Sequence, residues 1–198
     1  DFSDKEINYS SFDMAVKRSA DLENDLRLNP HKHRVLTGDR PTGSLHIGHY
    51  FGSLQNRVRL QGMGVETYIL IADYQVLTDR DVFQDIARFV TELTIDYLAC
   101  GLDPLNNKTY IFPHSHIPEL NQLTIPFLSL VSNAELNRNP TIKEEIAASG
   151  QKVINAGMYT YPVHQAADIL FCKSDVVPVG KDQLPHIEMT RTIAKRFN

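Results

Sequence analysis

Two histidines three residues apart, His46 and His49, stand in the string Pro41-Thr42-Gly43-Ser44-Leu45-His46-Ile47-Gly48-His49. The strand-like run Arg34-Val35-Leu36-Thr37 precedes it and ends in Gly38. Ile47, Phe51, Leu54 and Val58 then recur at the spacing of one helix face. The string therefore falls where a strand turns into a helix, and there the unpaired backbone N–H groups and the positive helix end attract phosphate. Gly43 and Gly48 lack Cβ atoms, so a ligand can approach the backbone closely. Histidines three apart on a helix point the same way. Two N–H donors aimed at one place suit a polyphosphate whose negative charge grows while its α-phosphorus is attacked. The plainer alternatives are a metal-binding pair or two surface histidines. Both glycines, the preceding strand and the helix phase count against them.

Asp168 interrupts the apolar run Ala166–Phe171 inside a helical pattern. It is either solvent-facing or buried, and a buried carboxylate needs a partner because its charge is costly to desolvate. The turn Gly180-Lys181-Asp182-Gln183 follows the apolar Val176-Val177-Pro178-Val179 and precedes a helix. Taken alone it is an ordinary turn and N-cap. In a nucleotide site Gly180 would allow close approach and Asp182 would accept ribose hydroxyls.

These residues need elements to hold them. Strands are expected at Arg34–Thr37, Thr67–Ala72, Tyr110–Phe112 and Val176–Val179, the second buried on both faces. Between them lie helical patterns: Ile47 to Val58, then Val82, Ile86, Phe89, Leu93 and Tyr97, closed by Gly101 and Pro104. Further helices are expected from Pro118, divided by Pro126; from a capping box at Thr141 and Glu144; from Pro162 at a first helical position into Val163–Phe171; and over Leu184–Arg196. This alternation is that of an α/β fold, a doubly wound parallel Rossmann-type sheet with an inserted helical segment. Residues 1–30 read as a helical leader, with an amphipathic stretch over Phe12–Leu28 stopped by Asn29-Pro30; residues 31–198 form the nucleotide-binding domain. In such sheets ligands sit at the carboxyl ends of the strands, which directs attention to the loops Gly38–Leu45, Asp73–Thr78, Pro113–Pro118 and Gly180–Gln183.

Of 198 residues, 42% are hydrophobic and 22% charged, which excludes a disordered or collagen-like chain. A net charge of −4 gives no global affinity for nucleic acid or anionic membranes. Cys100 and Cys172 stand alone, so neither a disulfide framework nor a cysteine metal site is expected. No apolar stretch is long enough to span a bilayer, and a cytoplasmic location is expected.

His46-Ile47-Gly48-His49 resembles the HIGH motif of class I aminoacyl-tRNA synthetases. The wider string Thr37-Gly38-Asp39-Arg40-Pro41-Thr42-Gly43 resembles the tryptophanyl-tRNA synthetases of bacterial type. So do Met158-Tyr159-Thr160-Tyr161-Pro162, Ala166–Leu170, Val177–Gln183 and His186–Arg191. The resemblance covers about residues 34–198. It implies ATP-dependent activation of L-tryptophan to tryptophanyl-adenylate and transfer to tRNA(Trp). ATP would come with Mg2+ as substrate, no metal would be held by the protein, and the enzyme would be a homodimer. By the same resemblance His46 and His49 are catalytic. Arg40, Pro41, Thr42, Gly48, His49, Gly180, Lys181 and Asp182 bind ATP. Asp168 accepts the indole N–H of tryptophan, and Tyr161, Gln183 and Gln75 line the amino-acid pocket.

Two departures stand out. Arg40 occupies a position that is often glutamine in the family, and no Lys-x-Ser-Lys-Ser cluster occurs. The expectation is a catalytic core that stops before the second ATP loop and the anticodon-binding domain, and that binds its substrates but activates poorly. The alternatives are a tyrosyl-tRNA synthetase, which shares the fold and the Gly-x-Asp-Gln turn, and a non-catalytic nucleotide-binding module derived from a synthetase. A dinucleotide oxidoreductase is disfavoured, because the first strand–helix turn lacks Gly-x-Gly-x-x-Gly.

Overall fold

The computed structural model describes residues 2–78, 85–105, 107–149 and 155–198. Three parallel strands, β1 (Arg34–Asp39), β2 (Glu66–Ile71) and β3 (Thr109–Pro113), lie side by side in that order. Val35 pairs with Thr67, and Thr67 with Thr109. In the central β2, Ile69 and Ile71 are buried on one face and Leu70 on the other, which is why the run Ile69–Ile71 is apolar without alternation. Gly38 lets β1 lie tight against β2, since a Cβ there would run into the Leu70 carbonyl oxygen. The strand expected at Val176–Val179 is instead one isolated parallel bridge between Val176 and Val35. Pro178 has no N–H to extend a ladder, and the chain leaves the sheet edge towards Gly180.

The first helix, α1 (Phe2–Leu28), stops before Asn29-Pro30 as expected but begins well ahead of Phe12. Leu26 near its end packs with Val35, Leu60, Val65 and Val176, so the leader is seated against the sheet. After β1 come α2 (Ile47–His49), a wider π-turn (Tyr50–Leu54) and α3 (Gln55–Gly62). The expected face splits there. Leu54 is buried and Val58 packs beside it, whereas Ile47 and Phe51 are exposed, because the wider turn rotates the early residues away from the core. The next helix, α4 (Ile86–Ala99), buries Leu93 and Tyr97 and is followed by Gly101 at φ +103°. Val82, expected on the same face, lies outside the described residues.

The inserted segment is α5 (Pro118–Gln122), α6 (Thr124–Leu128), α7 (Asn133–Arg138) and α8 (Pro140–Ser149). Pro126, which cannot donate to the Gln122 carbonyl, divides α5 from α6 at Leu123. A capping box of Ser132 and Glu135, overlooked in the sequence, starts α7. The box expected at Thr141 does not form. Asn139 Oδ1 accepts from the Thr141 N–H at 3.0 Å, the helix starts at Pro140, and the Thr141 hydroxyl donates to the Asp182 carbonyl at 2.6 Å. The helix α9 (Ala156–Phe171) is capped by Asn155, whose Oδ1 accepts from Met158 N, so Pro162 lies inside it and not at its first position. The final helix is α10 (Leu184–Phe197). Phe127, Leu136, Ile142, Val163, Ala166, Ala167 and Ile193 join α6 to α10 in one core cluster. Among the described residues no helix is long and apolar enough to cross a membrane.

Candidate active site

A cavity of about 640 Å³ opens at the carboxyl ends of β1 and β2, between the end of β1, the start of α3, α9 and the turn after Val179. Of the residues singled out in the sequence, Arg40, Gln75, Tyr161, Asp168, Gly180 and Gln183 line it. Pro41, Thr42, His46, Gly48, His49, Lys181 and Asp182 do not. Pro41 is buried, and Arg40, Thr42, His46, Gly48, Lys181 and Asp182 are exposed.

Asp168 is the buried charge of this wall, only 2% exposed. Its Oδ1 accepts a 2.9 Å hydrogen bond from His114 Nε2, and its Oδ2 a long 3.3 Å bond from Gln75 Nε2. His114 is fully buried. It follows β3 directly, and the ring of His164 lies 4.4 Å from its own. His164 Nε2 bonds Asn121 Oδ1 at 2.8 Å, and burial lowers the pKa of that imidazole. Each of His114, His164 and Asp168 offers a ligand atom within 4.8 Å of the others, an arrangement able to hold a metal ion. The two Nε2 atoms are, however, already bonded to Asp168 and Asn121.

A second chain of bonds fixes the opposite wall. Gln183 Nε2 donates to Asp182 Oδ2 at 2.8 Å, which turns its Oε1 towards His186 Nδ1 at 3.1 Å. Gln165 Oε1 faces the same nitrogen at 3.0 Å. Burial pushes His186 down to about 4, so the ring is neutral near pH 7. Nδ1–H donates to the two amide oxygens, and Nε2 accepts from the Tyr161 hydroxyl at 3.2 Å. A Cβ at Gly180 would meet Asp182 Oδ1 at 2.5 Å, so a larger residue there would push that exposed carboxylate aside. Lys181 lies over the Phe12 ring of α1, its Nζ 4.7 Å from the centroid.

At the β1–α2 turn the structure brings His46 and His49 together, their ring centroids 3.9 Å apart. His46 is not helical, as the sequence implied, but caps α2 from extended backbone. Gly48 N donates to His46 Nδ1, and His46 N donates to His49 Nδ1, each at 3.1 Å. With both Nδ1 atoms accepting, the hydrogen of each neutral ring sits on Nε2. The pair thus presents two N–H donors at this turn, outside the cavity lining.

Two features escaped the sequence. His114 is one. The other is a buried knot on the cavity floor: Arg57 donates to both oxygens of Asp39, at 2.6 and 3.1 Å, and the Tyr97 hydroxyl donates to Asp39 Oδ2 at 2.6 Å. Burial alone would raise the Asp39 carboxyl, but the Arg57 guanidinium and Tyr97 hold it below the usual carboxylate range. The signal available was positional. Asp39 and His114 both stand at strand carboxyl ends, but nothing in their spacing tells which distant residue they meet.

Comparison with known proteins places this geometry. The family described as tRNA synthetases class I (W and Y) matches residues 28–198. The tryptophan–tRNA ligase of Clostridium longisporum is 52% identical over 170 residues, 84% of this chain and 49% of that protein. That of Streptococcus agalactiae is 54% identical over 168 residues, 83% and 48%. The chain spans about half the length of the curated relatives it matches. Among solved structures, tryptophanyl-tRNA synthetase from Campylobacter jejuni complexed with ADP and tryptophan superposes with a TM-score of 0.76 at 33% identity, covering 83% of this chain and 50% of that one. Tyrosyl-tRNA synthetase from Archaeoglobus fulgidus, at 23% identity and a TM-score of 0.69, shares the fold. The family match takes in the sheet, the histidine turn and every wall of the cavity, and the chain belongs to the class I tRNA synthetases of the tryptophan and tyrosine family.

Proposed function

We propose that residues 31–198 are the catalytic domain of a tryptophan–tRNA ligase, with residues 1–30 as a helical leader. The observation that carries this reading is Asp168, a buried carboxylate on the cavity wall with one oxygen clasped by His114 and the other only loosely engaged by Gln75. A carboxylate only accepts hydrogen bonds and an indole N–H only donates, so the two are complementary. The names of the C. longisporum and S. agalactiae relatives and the ligands of the C. jejuni structure support the same substrate.

In the reaction a tryptophan carboxylate oxygen attacks the α-phosphorus of ATP. The bond from that phosphorus to the bridging oxygen breaks, and pyrophosphate leaves with the electron pair, giving tryptophanyl-adenylate. A hydroxyl of the terminal adenosine of tRNA(Trp) then attacks the acyl carbon, and AMP departs. The Nε2–H groups of His46 and His49 donate to phosphate oxygens as charge grows on them. Arg40 adds a cation at the cavity rim. Pro41, Thr42 and Gly48 shape the turn that carries the nucleotide, and Lys181 and Asp182 meet it from the opposite side. Mg2+ arrives with the ATP phosphates. Tyr161, Gln183 and Gln75 flank the amino acid. The enzyme works as a homodimer in the cytoplasm, a reducing compartment that suits its two free cysteines.

The chain has no tryptophan of its own, so added L-tryptophan can be excited at the red edge of indole absorption, where its eight tyrosines are dark. A saturable blue shift that excess L-tyrosine does not reverse is expected. Displacement by tyrosine, or no saturable signal, would contradict the assignment.

A further inference from the structure

Resting on the tryptophan assignment, we infer that His114 is a positioning residue for specificity: it holds Asp168 so that Oδ2, engaged only by the long bond from Gln75, faces the indole N–H. His114 lies outside the cavity lining, behind Asp168, so it does not touch the amino acid. Its own place is fixed from several sides. Its backbone carbonyl accepts from Asn121 Nδ2 at 2.9 Å and from Ile117 N at 3.0 Å, its ring packs 4.4 Å from that of His164, and the Tyr74 ring lies 6.0 Å away. From that position Nε2–H donates to Asp168 Oδ1 at 2.9 Å. Among the described residues Nδ1 has no hydrogen-bond partner and stands 3.8 Å from Asp73 Oδ1. Such a ring is spent on a single bond, and that bond orients Asp168. An Asp168 without it would be free to turn about its side-chain torsions and to take a second bond from Gln75, and the acceptor would be lost to the substrate.

The test separates this bond from general support of the pocket. Calorimetric affinities are measured for L-tryptophan and for 3-benzothienyl-L-alanine, an isostere with sulfur in place of the indole N–H. Wild type is expected to favour tryptophan by about tenfold or more, as for a bond to a charged acceptor. His114→Phe, which keeps the packing and lacks the donor, is expected to reduce that preference to about twofold or less while binding the isostere nearly as wild type does. His114→Gln, which can return an N–H near the Nε2 position, is expected to restore the preference. A preference unchanged in His114→Phe, or equal losses for both ligands in both variants, would overturn the role of His114. A wild type that does not distinguish the two ligands would instead overturn the indole–Asp168 contact itself, and the His114 role with it.

Discussion

A carboxylate that is 2% exposed persists only where donors meet its charge, and Asp168 has His114 and Gln75 to do so. The same rule governs the Asp39–Arg57–Tyr97 knot. Arg57→Met would leave Asp39 and the Tyr97 hydroxyl without their cation and is expected to cost about 3 kcal/mol of stability, read as a lowered Tm. His186 makes a pH prediction. Its folded pKa is depressed by burial from 6.5 to about 4, so the stability it supports is fully present above 6.5 and is lost as pH falls through about 4. An NMR titration of its ring should show a midpoint near 4, and a midpoint near 6.5 would mean that the Tyr161–His186–Gln183 chain is open to water. The His114–His164–Asp168 group is read as hydrogen-bonded, so EDTA should leave tryptophan affinity in the absence of ATP unchanged, and loss of affinity restored by zinc would show a resident ion. Asp168 and the His46–His49 pair were legible in the sequence because each breaks a pattern: a charge in an apolar run, two histidines at a glycine-rich turn. His114 was not, because its meaning depends on β3 bringing it against a residue 54 positions away.

Helix junctions decide how the site is assembled. His33 joins α1 to the sheet edge by bonds to Asp175 at 2.6 Å and Asp25 at 2.9 Å. Burial would lower its pKa, but the two carboxylates outweigh burial and raise it above 6.5. That contribution is therefore full below 6.5 and is lost as pH rises through the raised folded value. Hydrogen exchange of the last turns of α1 should accelerate as the pH passes above 6.5, beyond the intrinsic rise measured on the unfolded peptide, and His33→Phe should abolish the excess. An excess that survives His33→Phe would place the docking of α1 elsewhere, in Leu26 and the Arg59–Glu23 pair. At this scale the sequence showed strands and helix faces well, since burial leaves a period. It misplaced Val176–Val179, where Pro178 forbids a ladder, and Pro162, where the Asn155 cap starts α9 earlier than the proline suggested. The π-turn over Tyr50–Leu54 had no signature, as no residue type demands one.

The cavity draws on distant parts of the chain: its walls run from Leu36 within β1 to Gln183 before α10, and the sheet order brings those segments together. The parallel α/β class and the use of strand carboxyl ends were legible from the alternation of elements. The size of the cavity and the pairing of its walls were not, because they depend on contacts such as Thr141 to the Asp182 carbonyl that no local spacing encodes. On the proposed function, this cavity selects tryptophan through a charge-assisted bond to Asp168. Titrating L-tryptophan into wild type and Asp168→Asn side by side, with fluorescence as readout, tests it most directly. Asparagine keeps the shape but loses the charge, and it can turn an N–H donor towards the indole. The expected result is a wild-type curve that saturates and a variant about tenfold weaker or worse. Equal affinities for the two proteins would show that no such bond selects the ligand.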